Sequence, residues 1–166
     1  MADLVHAWKC CRKSKRNSAS ALEFELHAER HLMHLREALV SRTWRPGRSI
    51  CFVATRPKLR EVWAAPFADR VVHHLLYSHI GARFESAFIH NTAACIKGRG
   101  TLFAALRLEH DVRSVTQNWQ QPAYYLKCDL ANFFVSIDKT ILLERLRRRI
   151  PPSEASSFWL WLAETT

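Results

Sequence analysis

An aspartate that follows a predicted strand is the residue of this 166-residue chain best placed to do chemistry. The run Tyr-Tyr-Leu-Lys-Cys-Asp at 124–129 predicts a strand ending at Asp129, and a turn with Phe133 and Phe134 follows it. A carboxylate there can present its oxygens to a cleft. Mg²⁺ takes one or two protein carboxylates, and a pair of such ions clamps the attacking and leaving oxygens of a phosphoryl transfer. Asp129 is therefore a candidate metal ligand, with a plain turn-forming aspartate as the alternative.

A basic turn between two predicted strands is the second candidate. Residues 49–55 predict the first strand, residues 61–64 predict its return, and Arg-Pro-Lys-Leu-Arg at 56–60 joins them. At the tip of a hairpin, Lys58 would act as a point charge and Arg60 as a two-pronged donor toward a triphosphate. A solvated basic turn is the alternative for the same residues.

The histidines and cysteines favour ordinary structural roles. His27, His31 and His34 share one face of a predicted helix without a cysteine or carboxylate at metal spacing, so we expect a solvated face. His73 and His74 are adjacent and therefore point in different directions. The five cysteines include no C-x-x-C pair, which argues against a zinc ribbon or a disulfide framework. Reduced thiols in the cytoplasm are the simplest interpretation.

The composition predicts a folded, strongly basic domain or part of one. Lys and Arg number 25 against 15 Asp and Glu, and this formal charge of +10 favours a polyanionic partner such as nucleic acid. Hydrophobic residues make up 48% of the chain, which is enough to bury a core. No apolar run approaches the roughly 18 residues of a membrane span, and the N-terminus lacks a secretory signal pattern. We therefore expect no membrane partner.

The elements that must position these residues are mostly helical. A basic stretch at 9–18 fits a flexible arm or a solvated surface segment. A capping box at Ser20 and Glu23 then predicts the start of one helix over residues 20–40, and a turn at 44–47 ends it.

Two further helices are predicted in the middle of the chain. Pro66 suits the first turn of one, with Gly81 as its stop. The other follows a glycine turn at 98–100 and covers residues 101–119. Its inward apolar positions are Leu102, Leu106, Val112 and Val115.

Two helices are predicted toward the end of the sequence. Phe133 is expected in the core, and Asp138 is expected to cap a helix whose inward residues are Ile141, Leu142, Leu146 and Ile150. The arginines at 145–149 fit either compensation of the helix dipole or a nucleic-acid contact. Ser153 can cap a last, Trp-rich helix, whose apolar partner is expected beyond the chain or in another molecule.

Six blocks of sequence together carry a resemblance to a known family. They are Trp-Arg-Pro-Gly at 44–47, Arg-Pro-Lys-Leu-Arg-Glu-Val at 56–62, Ala-Ala-Pro-Phe-Ala-Asp-Arg-Val-Val-His-His at 64–74, Phe-Glu-Ser-Ala-Phe-Ile at 84–89, Ala-Cys-Ile-Lys-Gly-Arg-Gly-Thr at 94–101 and the run at 125–138. In this order and at these distances, over about two thirds of the chain, they resemble bacterial reverse transcriptases. The enzymes of diversity-generating retroelements are the most similar, although retron and group II intron enzymes share the outline.

The resemblance implies an α+β fold, helix-rich with a small antiparallel hairpin, made of polymerase fingers and the start of the palm. Its regions would be a basic N-terminal arm at 1–19, a fingers-like region at 20–120 and the start of a truncated palm at 121–166. It implies RNA-directed DNA polymerisation with two Mg²⁺ ions, an RNA template, a DNA primer and dNTPs. The retroelement subclass would add a template-repeat RNA, adenine-directed mutagenic copying and an accessory protein.

The resemblance also implies a role for single residues. Asp129 would be the first catalytic, metal-binding aspartate, and the backbone carbonyl of Leu130 a second metal ligand. Phe134 would be the aromatic gate that excludes a ribonucleotide's 2′-OH. Lys58 and Arg60 would hold the incoming dNTP. Weaker matches to nucleic-acid-binding positions near the template path are Arg70, Lys97 and Arg99.

One departure from the family pattern limits these expectations. The family's palm carries two more carboxylates in a Tyr-x-Asp-Asp turn, and this chain has no Asp-Asp pair. We therefore expect the front part of a longer enzyme, as a fragment, a truncated gene product or one half of a split enzyme, inactive on its own. The alternatives are a non-catalytic RNA-binding module and a fragment that does not fold alone.

Overall fold

The computed structural model describes residues 1–13, 18–151 and 153–166, which form helices and one two-stranded antiparallel sheet. In chain order the elements are α1 (Ala2–Arg12), α2 (Ala19–Leu26), α3 (Ala28–Val40), β1 (Ile50–Ala54), β2 (Arg60–Ala64), α4 (Phe67–Glu85), α5 (Thr101–Val115), α6 (Phe133–Ser136), α7 (Lys139–Arg149) and α8 (Glu154–Thr165). The helix-rich α+β prediction with a small antiparallel hairpin is confirmed.

The chain divides into two compact units. We call Met1–Ala82 together with Leu143–Thr166 the core unit, and Arg83–Leu142 the central unit. This division crosses the regions predicted at 1–19, 20–120 and 121–166. Those regions were assigned from family roles, so they stay a prediction.

The predicted hairpin is present within one residue of its expected bounds. β1 and β2 pair from Ile50 opposite Ala64 to Ala54 opposite Arg60. Because directly opposed residues of an antiparallel pair share a face, Arg60 lies on the face that also carries Phe52. Residues 55–59, which include Lys58, form the turn.

One buried cluster holds the core unit together. Its members come from α1, α2, α3, the turn after α3, α4 and α8, and they are Leu4, Ala7, Cys11, Ala21, Phe24, Leu32, Leu35, Leu39, Trp44, Phe67, Val71, Val72, Leu75 and Leu162. The basic stretch at 9–18 thus begins inside a packed helix, since α1 extends to Arg12. Residues 14–17 of that stretch lie outside the described part of the chain.

The single helix predicted over residues 20–40 is two helices. They meet at His27, whose φ of −133° and ψ of 39° are not helical. The predicted cap is also wrong: the N-cap is Ser18, whose extended backbone (φ −80°, ψ 136°) suits that position. Ser20 lies inside α2, and its hydroxyl accepts a hydrogen bond from Arg70 instead.

Gly81 does not stop α4, which continues to Glu85. A Cβ at Gly81 would lie 2.9 Å from a ring carbon of Tyr77, one helical turn earlier. The glycine therefore makes room for an aromatic ring along the helix. This packing role explains a glycine in a helix interior, where it otherwise destabilises.

The last helix is capped as predicted but packed differently. The Ser153 hydroxyl accepts from the Ser156 N–H at 3.1 Å. Leu162 is fully buried in the core cluster, and the Trp159 ring stacks on His79 with centroids 4.0 Å apart. The expectation that the partner of this helix lies outside the chain is wrong, because the core unit itself covers it.

The central unit buries far fewer apolar side chains than its sequence pattern predicts. α5 ends at Val115, and its predicted inward residues Leu102, Leu106 and Val115 are all more than half exposed. Val112 is half-buried. Phe133, predicted in the core, is 48% exposed.

The strand predicted at 124–129 is absent, and these residues have no regular secondary structure. Tyr124, Tyr125 and Leu126 are almost fully exposed. A strand forms only where its N–H and C=O groups meet a neighbouring strand. The sheet that the structure describes contains β1 and β2 alone, so the β-forming pattern at 124–129 has no partner.

The start of α7 is as predicted, while its apolar face is only partly so. Asp138 caps the helix, because its Oδ1 accepts from the N–H groups of Thr140 at 2.8 Å and Ile141 at 3.1 Å. Ile150 is buried and Leu146 is half-buried. The predicted inward positions Ile141 and Leu142 are exposed.

Candidate functional site

Asp129 lies on an open cavity together with the other residues that were predicted around it. The cavity has a volume of about 460 Å³ and is lined by Cys128, Asp129, Leu130, Phe133 and Phe134. The two phenylalanine rings meet edge to face with centroids 5.2 Å apart. Short sequence spacing and the turn into α6 thus bring the aspartate and both aromatic residues to one place.

The local backbone explains this arrangement. Asn132, the N-cap of α6, has a left-handed conformation with φ 52° and ψ 34°. Asparagine tolerates this region better than most residues because its short side chain is polar. The chain therefore turns sharply between Leu130 and Phe133, and Phe134 stays 87% exposed at the cavity.

The side-chain chemistry available to a hard metal ion at this cavity is that of one carboxylate. Asp129 is exposed, and no hydrogen bond or ion pair involves its carboxylate within the described residues. No group of three or more His, Cys, Asp or Glu side chains that could hold a metal ion is found across residues 1–13, 18–151 and 153–166. One carboxylate fits a share of one Mg²⁺ site, in which water and phosphate supply the other ligands.

The hairpin and the segment before it carry an excess of positive charge. Residues 45–64 contain one carboxylate, Glu61, and five cations, Arg45, Arg48, Arg56, Lys58 and Arg60. All five are exposed. Among the described residues, none of these five cations forms an ion pair with a carboxylate.

Some basic residues outside the hairpin are paired with carboxylates. On α5, Arg113 pairs with Glu109 one turn away at 2.9 Å, and on α7 Arg148 pairs with Glu144 in the same way. Arg12 pairs with Glu25 at 2.5 Å. The positive field of the hairpin is therefore available to an anionic ligand, and its screening depends on salt.

The base of the hairpin is fixed by a contact that the sequence did not indicate. The buried carboxylate of Asp69, near the start of α4, accepts a hydrogen bond from the Gly47 N–H at 2.7 Å. A Cβ on Gly47 would lie 3.0 Å from Pro66. Asp69 thus has a structural role at the entry to β1, and 22 residues separate the two partners.

The three weaker nucleic-acid candidates differ in whether hydrogen bonds within the chain already hold their side chains. Arg70 donates to the Ser20 hydroxyl at 3.2 Å, and Arg99 donates to the carbonyls of His90 at 2.8 Å and Thr92 at 3.0 Å. Lys97 is exposed and makes no such bond within the described chain. Arg99 therefore ties its own loop together, and Lys97 is the more available cation of that loop.

Two histidines next to the hairpin base have shifted pKa values, which sequence reasoning missed. Burial lowers the pKa of His73 below 6.5, with Asp69 opposing and His74 reinforcing the shift. Burial also lowers the pKa of His74, and the Arg70 charge lowers it further. Both rings are therefore neutral at pH 7 and add nothing to the positive field.

The candidate residues fall into separate units. Lys58, Arg60 and Arg70 belong to the core unit, whereas Asp129 and Phe134 belong to the central unit with Leu130, Lys97 and Arg99. Each unit therefore carries its own group of candidate residues. Within the described residues, no helix has the length and apolar character needed to cross a membrane.

Comparison with known proteins adds no family to this description. No protein-family model matches the chain, and the search of curated proteins gives no match either.

Proposed function

We propose that this chain is the front part of an RNA-directed DNA polymerase. The observation that carries the proposal is the cavity on which Asp129, Leu130 and Phe134 meet. In the complete enzyme, a primer 3′-OH would lose its proton to solvent and its oxygen would bond to the α-phosphorus of a dNTP, while the bond from that phosphorus to the oxygen bridging to the β-phosphate breaks and pyrophosphate leaves. Mg²⁺ held by the Asp129 carboxylate and the Leu130 carbonyl would supply Lewis-acid activation of the hydroxyl and charge neutralisation at the leaving group.

Each candidate residue has a role in this proposal. Asp129 offers its carboxylate and Leu130 its carbonyl to the metal, and the Phe134 ring selects deoxynucleotides by a clash with a 2′-OH. The cations Lys58 and Arg60 hold the triphosphate. The template path passes Arg70, Lys97 and Arg99. A retroelement RNA and an accessory protein would be the partners of the complete enzyme.

The missing carboxylates decide how this proposal is tested. Two palm carboxylates of the family pattern are not in this sequence, so RNA-templated primer extension with Mg²⁺ and dNTPs should give no product from this chain. Detectable extension would show that the chain is not a partial enzyme.

Nucleotide binding is the test that does not need the rest of the palm. We expect calorimetric titration with Mg²⁺-dTTP to show binding that the double variant Lys58→Ala/Arg60→Ala weakens by about tenfold, a loss of about 1.4 kcal/mol. Arg113→Ala is the matched control, since Glu109 already pairs with that cation. Equal effects of the hairpin and control variants on nucleotide affinity would show that the hairpin is not part of the nucleotide site.

A non-catalytic RNA-binding module is the second candidate, and the hairpin favours it. Besides its cations, the hairpin exposes Phe52 (50%) and Trp63 (65%), and exposed rings next to cations suit stacking on single-stranded bases. RNA affinity should then fall steeply with salt, and each hairpin cation that is removed should reduce the log–log slope by about 0.7. A flat salt response would contradict this candidate.

A further inference from the structure

The core unit contains a second cavity that none of the proposed polymerase roles uses. It is open to solvent, has a volume of about 380 Å³, and lies among α2, α3, the start of β1 and the start of α4. Its lining residues are Ser20, Glu23, Phe24, His31, His34, Leu35, Ile50, Pro66, Phe67 and Ala68. The volume falls within the range of about 300–1,000 Å³ that is typical of small-molecule sites.

Aromatic rings held in fixed positions form one wall of this cavity. The Phe24 and Phe67 rings are buried, with centroids 5.2 Å apart and a tilt of 55° between their planes. The His31 ring lies 4.9 Å from Phe24, and its Nδ1 donates to the Phe24 carbonyl at 3.1 Å. The wall is therefore preorganised, which lowers the entropic cost of binding a flat ligand.

The charge of the lining is opposite to that of the whole chain. The lining has one carboxylate, Glu23, and no lysine or arginine, in a chain of formal charge +10. Glu23 is exposed and has no hydrogen bond or ion pair to any residue that the structure describes. Arg70 is not a lining residue, but it donates to Ser20 of the lining and its guanidinium lies 5.3 Å from the centroid of the Phe67 ring.

We propose that this cavity binds a small, planar aromatic molecule that carries one positive charge. The flat ring would pack against Phe24, whose aromatic face also attracts a cation, because the Phe67 ring already lies under the Arg70 guanidinium. The charged group would point to Glu23, the unpaired carboxylate at the cavity. This site is independent of the nucleotide and metal roles proposed above.

The probe that tests the proposal is benzamidinium, with benzamide as its neutral counterpart of the same shape. By ligand-observed NMR or calorimetry at low salt, we expect benzamidinium to bind and benzamide to bind about three- to fivefold more weakly, as fits an exposed ion pair. Equal affinity for the two molecules would overturn the charge complementarity, and no binding of benzamidinium would overturn the site.

Two variants and one control locate the binding. Glu23→Gln should weaken benzamidinium binding about three- to fivefold and leave benzamide binding unchanged. Glu29→Gln, an exposed glutamate of α3 outside the lining, should change neither. Ala68→Leu, which fills part of the cavity, should weaken both ligands, with its folding checked by the unfolding midpoint. If Glu23→Gln binds benzamidinium like the wild type, the proposal is wrong.

Discussion

The core unit and the central unit support their candidate sites in different ways. In the core unit, side chains of five helices form one buried cluster. The buried Asp69 holds Gly47, which lies just before the hairpin that carries Lys58 and Arg60. In the central unit, Thr116 is the one buried residue among those described. Asp129 and Phe134 lie on an exposed turn there.

This difference shows which site the chain can organise by itself. Removing apolar surface from water contributes roughly 25 cal/mol per Å², and in this chain that burial is concentrated in the core unit. The central unit relies on surface pairs such as Arg107 with Asp111, which contribute about 0–1 kcal/mol each.

The largest expected effect tests whether stability resides in the core unit. Leu162→Ala should lower the free energy of unfolding by about 2–5 kcal/mol, because it opens a cavity in the cluster. Leu102→Ala, the same change at an exposed position of α5, should shift it by no more than about 0.5 kcal/mol. Urea unfolding followed by circular dichroism measures both. Similar losses of unfolding free energy in the two variants would show that stability does not reside mainly in the core unit.

A matched pair of aspartate variants gives the next largest effect. Asp69→Asn should cost about 1–3 kcal/mol, because it weakens a buried, charge-assisted bond to the Gly47 N–H. Asp129→Asn should leave stability unchanged within about 0.5 kcal/mol, since that carboxylate is exposed. The same unfolding experiment compares them. If Asp129→Asn were the more costly change, the turn would be structural and not a ligand site.

The smallest of these effects is expected in the pH dependence of the stability of the core unit. His73 and His74 have folded pKa values below 6.5, so the unfolded chain binds more protons in that window. Their contribution to stability is complete above about pH 6.5 and is lost as the pH falls through 6.5 toward the lowered folded values. Between about pH 7.5 and pH 5, the unfolding midpoint of the double variant His73→Gln/His74→Gln should change less with pH than that of the wild type. Parallel curves would contradict the lowered pKa values of the two rings.

Local features of the fold were predictable from the sequence. The hairpin follows from two β-forming runs around a basic, proline-containing turn, and both of its strands bury little, so no distant partner decides them. The caps Asp138 and Ser153 act on N–H groups within three residues of themselves. The residues around Asp129 are also close in sequence, which is why the cavity brings together those that were named.

Features that depend on distant residues were not predictable. The pattern at 124–129 is that of a strand, but a strand needs a neighbour, and nothing local shows whether one exists. The burial of Leu162 depends on α1 to α4, which lie far away in sequence. The bond between Gly47 and Asp69 joins two blocks that were recognised only as family motifs.

The coding sequence downstream of Thr166 tests the central claim most directly. We predict that the messenger RNA, read through and beyond this codon, encodes a Tyr-x-Asp-Asp segment, in the same frame or in a neighbouring one, which would supply the two carboxylates that join Asp129. A stop codon directly after Thr166, with no neighbouring frame that encodes such a segment, would contradict the polymerase account. The RNA-binding module would then be the better description of this chain.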